Sequence, residues 1–250
     1  MTPSPKISIL MSCFNAEETV QSSIDSILQQ SYHEFEFLIM DDNSTDNTFK
    51  LIKENAKIDS RIRYFKNEVN LGLTKSLNIL IEHSKGSYIA RQDADDISLK
   101  SRLEIQINFL ESSSSKVVTA RALNPDSKKI HPGFSYYLPK NFVIKYKNPF
   151  IHGTLMIEKS LLIKMGGYDE NFYFSQDYKL FYDFLMMGQR IPIIKKILYE
   201  LNMKDNFIIP GSVIYVPREI GKLDGLNYAG VVAPIFSSLA LSIASLNSIN

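Results

Sequence analysis

The chain has 250 residues, 44% of them hydrophobic and 22% charged, which is enough apolar material for a substantial core and excludes a disordered, collagenous or coiled-coil chain. Its 28 Lys and Arg against 27 Asp and Glu give a net charge of +1, so no global positive excess directs it to nucleic acid. Cys13 is the sole cysteine, which excludes internal disulfides and a multi-cysteine zinc cage.

Four short apolar runs open the chain: Ile7 to Ser12, Phe35 to Met40, Ile62 to Lys66 and Ser87 to Arg91. Each reads as a buried strand. Helical patterns fill the gaps: Ala16 to Gln30 behind an N-cap at Asn15, Thr45 to Ala56 behind Ser44, and Thr74 to Ser84. Strand and helix alternating at a nearly even period predict βαβ units and a parallel sheet, whose ligands bind beyond the carboxyl ends of the strands. A helix over Ser101 to Glu111 and a strand over Lys116 to Thr119 follow. The stretch from Asn124 to Pro149, rich in Pro, Lys, Asn and Tyr, reads as an irregular insertion. Its Tyr136, Tyr137, Phe142 and Tyr146 can line a ligand cleft or simply pack locally. Beyond it, His152 to Ile157 reads as a strand, Lys159 to Met165 as a short helix, and a further helix is expected from Gln176 to Gly188.

No charged N-terminal stretch leads into a long apolar run, so no signal peptide is expected and the chain reads as cytoplasmic. From Gly225 to Asn250 no residue is charged. Pro234 and several serines interrupt this stretch, while Val232, Ile235, Phe236, Leu239, Ile243 and Leu246 recur at helical spacing. Both an interfacial amphipathic helix, giving peripheral membrane contact through residues 226–250, and a helix docked on the chain's own core fit that pattern. The expected division is therefore a main domain over 1–215, with halves near 1–120 and 121–215, and an apolar helical segment over 216–250.

Three acidic clusters fall at the ends of elements. Asp41-Asp42-Asn43-Ser44 follows the second strand, Asp93-Ala94-Asp95-Asp96 follows the fourth, and Gln176-Asp177 opens a helix. Alternating aspartates in a loop suit Mg²⁺ or Mn²⁺, because two short carboxylates reach one ion and leave positions for water and phosphate oxygens. Taken alone, Asp41, Asp42 and Ser44 read more readily as a loop and N-cap, Asp177 as a helix cap, and His152 as a satisfied strand-end histidine. Their joint placement after successive parallel strands favours a site.

The stretches ISILMSCFNAEETVQSSIDSILQQSYHEFEFLIMDDNSTDNT, NLGLTKSLNILIEHSKGSYIARQDADD and GTLMIEKSLLIKMGGYDENFYFSQDYKLF, in that order, resemble the large inverting GT-A glycosyltransferase family (family two type) of bacterial polysaccharide synthesis. The resemblance spans roughly residues 5 to 190. It implies a Rossmann-related, mostly parallel sheet flanked by helices, a nucleoside diphosphate sugar donor, most simply a UDP-sugar, and a saccharide or lipid-linked acceptor. By the same resemblance, Ser12 and Phe14 flank the uracil, Asp42 accepts from the base N–H, and Lys75 approaches the diphosphate. Asp93 and Asp95 form the metal-binding pair, Asp95 the more direct ligand and Asp93 nearer the ribose or donor sugar. Asp177 is the general base, with His152 and Gln176 on the acceptor side.

The chain departs from that pattern at Gln176, where Glu is usual, at Phe181 and Asp183, where Trp and Arg are common, and at Phe14 in place of Tyr. Past residue 190 the usual Arg/His pattern is missing, with Lys204 the one candidate substitute. Two alternatives compete: a nucleotidyltransferase, disfavoured because SCFNAEE is neither glycine-rich nor basic, and a non-catalytic nucleotide-sugar or glycan-binding subunit of an assembly complex.

Overall fold

The computed structural model describes residues 5–172 and 175–202. Nine strands form one mixed sheet, in the order β3-β2-β1-β4-β8-β6-β9-β5, with β7 pairing against β6. The first half is the expected βαβ series: β1 (Ile7–Cys13), α1 (Val20–Leu28), β2 (Phe35–Asp41), α2 (Thr48–Ile58), β3 (Ile62–Lys66), α3 (Leu73–His83) and β4 (Tyr88–Arg91). β1 pairs in parallel with β2 and β4, and β2 with β3, so the loops leaving β1, β2 and β4 open on the same edge of the sheet.

After β4 the pattern changes. β5 (Ile97–Ser98), α4 (Arg102–Ser112), β6 (Val117–Asn124), β7 (Lys129–His131), α5 (Lys140–Val143), β8 (Met156–Glu158), α6 (Lys159–Lys164), α7 (Gln176–Met186) and β9 (Ile193–Glu200) follow. β8 runs antiparallel to both β4 and β6, while β9 lies parallel to β6 and antiparallel to β5. β6 thus spans residue 120 and carries one sheet across both halves of the chain.

Period-two alternation divides the core. Leu10, Leu38, Met40, Ile89 and Ile157 point to one face and pack with α3, α6 and α7. Ile7, Ile9, Met11, Phe37, Ile39 and Ala90 point to the other and pack with α1, α2 and α4.

Three expectations are corrected. Helices α1 and α2 begin three to four residues later than their polar openers indicate, because Asn15 and Ser44 serve another purpose. The Asn15 N–H donates to Ser44 Oγ at 3.0 Å and the Thr45 N–H to Asn15 Oδ1 at 2.9 Å, stitching the loops after β1 and β2 together. Only the second half of His152–Ile157 is strand; His152–Thr154 forms a 3₁₀ turn whose N–H of Leu155 returns to the His152 carbonyl at 3.0 Å. β9 escaped the periodicity argument, since Lys195 and Lys196 interrupt its apolar run. Among the described residues no helix is long and apolar enough to cross a membrane. The stretch 226–250, the boundary near 215 and Lys204 lie outside the described residues.

Candidate functional site

A cleft of about 630 Å³ opens over the carboxyl ends of β1, β2 and β4. Ser12, Phe14, Asp42, Asp93 and Asp95 all line it, together with Leu73 from α3 and Asn202 beyond β9. The Phe14 ring is half exposed there (51%), a flat apolar face beside polar walls. Asn15 next to it holds a left-handed backbone with φ 48°, fixed by the Ser44 and Thr45 hydrogen bonds, which is the kind of local strain that persists where surrounding contacts over-determine it.

Asp42 is buried and already engaged. Its Oδ1 accepts from Asn67 Nδ2 at 2.7 Å and the Leu71 N–H at 2.8 Å, and its Oδ2 accepts from the Gly72 N–H at 2.8 Å. Asp42 therefore anchors the loop that leads into α3, where Gly72 takes φ 83°, a conformation that costs glycine little. Asp41 behind it is fully buried. It meets Lys66 Nζ at 3.3 Å through Oδ2, while its Oδ1 has no hydrogen-bond partner.

The aspartate loop after β4 rests on a buried polar scaffold. Arg91, the last residue of β4, is fully buried; it donates to the Leu10 carbonyl at 3.0 Å and forms an ion pair with Asp93. Arg102 on α4, equally buried, donates to Ser98 Oγ at 2.7 Å and Gln92 Oε1 at 3.1 Å and lies over the Tyr199 ring, and burial lowers its pKa to about 10. Gln92 ties the loop together, donating to Ser23 Oγ at 2.9 Å and to the Asp96 carbonyl at 2.8 Å. The Asp93 N–H donates to the Tyr199 hydroxyl at 3.1 Å. Buried charges persist where most of their polar atoms are paired, and of these two guanidinium groups only Arg91 Nε lacks a hydrogen-bond partner. Burial, then the charges of Asp93 and Asp95, push Asp96 up to about 7, although its Oδ1 accepts from the Asn202 N–H at 2.8 Å.

Gly153 explains how the 3₁₀ turn fits. A Cβ there would lie 2.4 Å from the Tyr199 hydroxyl and 2.7 Å from Asp93 Oδ2, so only glycine lets the turn pass this close. The turn places His152 Nε2 at 2.7 Å from the Tyr168 hydroxyl, and removal from water, reinforced by the Arg91 charge, pushes the His152 pKa down to about 4. Asp177 sits in the first turn of α7, its Oδ2 accepting from Asn148 Nδ2 at 2.8 Å. Both Asp93 and Asp177 act electrostatically on His152. Ser175, which precedes α7, holds a left-handed backbone with φ 59°.

Lys75 stands exposed on α3 and, like His152 and like Gln176 and Asp177 at the start of α7, is not among the residues lining the cleft. Arg91, Arg102, Tyr199, Asn148 and Gly153 were not anticipated. A charged residue inside an otherwise apolar strand was the available signal for Arg91; Tyr199 lies past residue 190, where the motif pattern fades.

The donor set fits a hard divalent cation. Asp93, with one oxygen paired to Arg91, and Asp95 both line the cleft, and among the described residues no group of three or more His, Cys, Asp or Glu is placed to hold a metal ion. Two carboxylates, with phosphate and water completing the shell, suit Mg²⁺ or Mn²⁺.

The model of glycosyl transferase family 2 matches residues 8–166. The chain belongs to that family. Among its relatives, EpsE of Bacillus subtilis (strain 168), provisionally named a glycosyltransferase, is 37% identical over 175 residues, covering 67% of this chain and 62% of EpsE. The Escherichia coli UDP-Glc:alpha-D-GlcNAc-diphosphoundecaprenol beta-1,3-glucosyltransferase WfgD is 40% identical over 105 residues, 42% of this chain and 40% of WfgD. In structure, S. aureus TarS 1–349 in complex with UDP superposes with a TM-score of 0.67 at 21% identity, covering 78% of this chain and 60% of that 1–349 chain. The chain thus spans under two thirds of each of these proteins, and the likeness to TarS establishes the GT-A fold.

Proposed function

We propose that this protein is a metal-dependent inverting glycosyltransferase that moves a sugar from a UDP-sugar to a saccharide or lipid-linked acceptor in bacterial surface polysaccharide synthesis. The observation that carries the reading is the convergence of Phe14, Asp42, Asp93 and Asp95 on one cleft at the carboxyl edge of the parallel strands, with Asp177 held by Asn148 and its charge felt at His152. The family membership and the names of WfgD and TarS support the chemistry and the uridine donor.

Phe14 stacks on the uracil and Ser12 borders it. Asp42 fixes the cleft wall through three accepted hydrogen bonds, one of them from the Gly72 N–H to Oδ2, and the second lone pair of Oδ2 would accept from the base N–H. Asp95, with Asp93 oriented beside it by Arg91 on the ribose and donor-sugar side, would hold a Mg²⁺ or Mn²⁺ ion, which would supply the positive charge that stabilises the leaving diphosphate. Asp177 removes the proton of the acceptor hydroxyl as its oxygen attacks the anomeric carbon on the face opposite the nucleotide. One displacement inverts the configuration. His152, neutral through the physiological range, positions the Tyr168 hydroxyl and adds no charge to the acceptor side.

The test is transfer from radiolabelled UDP-sugars to lipid-linked saccharide acceptors by the parent and Asp177→Asn. The expected result is inverted product from the parent, with UDP binding retained and transfer lost in the variant; transfer at the parent rate by Asp177→Asn would overturn the assignment.

A further inference from the structure

The insertion between β6 and β8 has two unlike sides. Its inner side is sealed to α7: Ile144 and Phe150 are buried with Leu180 and Phe181, the Tyr178 hydroxyl donates to the Ile144 carbonyl at 2.5 Å, and Asn148 holds Asp177. Its outer side carries large aromatic groups in water. Phe134 is 76% exposed, Tyr137 69%, Phe142 56% and Tyr146 42%. The 3₁₀ turn Phe134–Tyr137 and α5 are tied to each other by Lys140 Nζ, which donates to the carbonyls of Ser135, Tyr136 and Leu138.

Charge separates this segment from the rest of the molecule. Residues 124–149 contain five lysines and one acid, Asp126, on a chain whose total is +1. Lys128, Lys129, Lys145 and Lys147 are exposed, and none of them forms an ion pair among the described residues. Exposed phenylalanine and tyrosine in the same short segment as lysines outside any ion pair match a partner that offers both apolar depth and negative charge. Aromatic rings settle at the headgroup level of a bilayer, and lysines bury their stems while reaching anionic headgroups.

We propose that the 124–149 insertion is a membrane-docking surface for anionic phospholipid, which seats the first turn of α7, and with it Asp177, against the bilayer. It deepens the reading of a lipid-linked acceptor and rests on that reading only for its purpose. Because the insertion is fixed to α7 at Ile144 and Asn148, a bilayer contact on its outer side holds the base at a defined height above the headgroups, where a lipid-borne sugar hydroxyl would stand.

The chain contains no tryptophan, so the variant Tyr137→Trp places a single reporter in the surface. With full-length protein and sonicated vesicles, the expected result is a blue shift and quenching by brominated chains on phosphatidylcholine vesicles containing 30% phosphatidylglycerol, and no change on pure phosphatidylcholine. Adding Lys128→Glu, Lys129→Glu, Lys145→Glu and Lys147→Glu is expected to weaken partition by at least about 100-fold, and Phe134→Ser with Phe142→Ser to abolish the quenching. A thermal melt and a UDP titration on each variant report folding and the donor site separately, so loss of UDP binding alone speaks against the enzymatic reading and not against the surface. Absence of a spectral change on anionic vesicles overturns the proposal. So does vesicle binding that survives the lysine reversals, or a reporter that responds to polyuridylic acid and not to vesicles.

Discussion

Asp42 is the residue for which the sequence and the structure assign different main tasks, and Asp42→Ala separates them. The substitution removes the acceptor of three hydrogen bonds, from Asn67 Nδ2 and the N–H groups of Leu71 and Gly72, at 2.7, 2.8 and 2.8 Å. Hydrogen bonds to a charged group contribute about 1.5–3 kcal/mol each. They do not add fully here: Asn67 keeps Ser76 Oγ at 2.9 Å, and Leu71 and Gly72 are partly exposed, so water replaces part of what is lost. A net loss of about 3 kcal/mol follows, a large share of the roughly 5–15 kcal/mol that a folded domain commands. For a chain of this size it corresponds to a fall in Tm of about 6–12 °C. Urea denaturation followed by far-UV circular dichroism measures it, with the midpoint expected to fall and the slope to hold. A loss under about 0.5 kcal/mol would refute the anchoring role and leave nucleotide contact as the residue's function.

Four further outcomes are expected. Gly153→Ala drives a methyl against the Tyr199 hydroxyl and Asp93 Oδ2, both pinned, so stability should fall by about 1–3 kcal/mol and UDP affinity with it; calorimetry showing parent-like affinity would contradict this. Arg91→Met leaves the partly exposed Asp93 carboxylate and the Leu10 carbonyl without their buried donor and should cost about 1–3 kcal/mol, read as an earlier urea midpoint; an unchanged midpoint would contradict it. Asn148→Ala frees the Asp177 carboxylate and should lower kcat on the order of 10-fold without changing donor KM; an unchanged kcat would remove Asn148 from the positioning role. His152, with its pKa pushed below the unfolded value, favours the fold above pH about 6.5; that contribution should fade as pH drops toward about 4 and be absent in His152→Gln, whose stability curve should be flatter across that window.

Much of the fold was legible because apolar runs at period two and helices at period 3.6 leave direct marks, as in Phe35–Asp41, buried throughout, and in α3 and α7. The polar openers misled: Asn15 and Ser44 have cap chemistry, but a partner about 30 residues away in sequence took their hydrogen bonds. That competition is tertiary and carries no local signature. The acidic clusters were visible because carboxylates at strand ends are conspicuous. Their support was not, since the Arg91, Gln92 and Arg102 network is assembled from β4, its loop and α4 only on folding. Asn148 is one of many asparagines in sequence, and its role emerges only when the insertion packs on α7.

The central claim is a metal-assisted UDP site in the cleft over β1, β2 and β4. Isothermal titration of UDP with and without Mn²⁺, on the parent chain and on Asp95→Ala, tests it without knowledge of the acceptor. The account predicts UDP binding that strengthens with Mn²⁺ in the parent and loses that dependence in Asp95→Ala. Equal UDP affinity in all four titrations, or none in any, would contradict it.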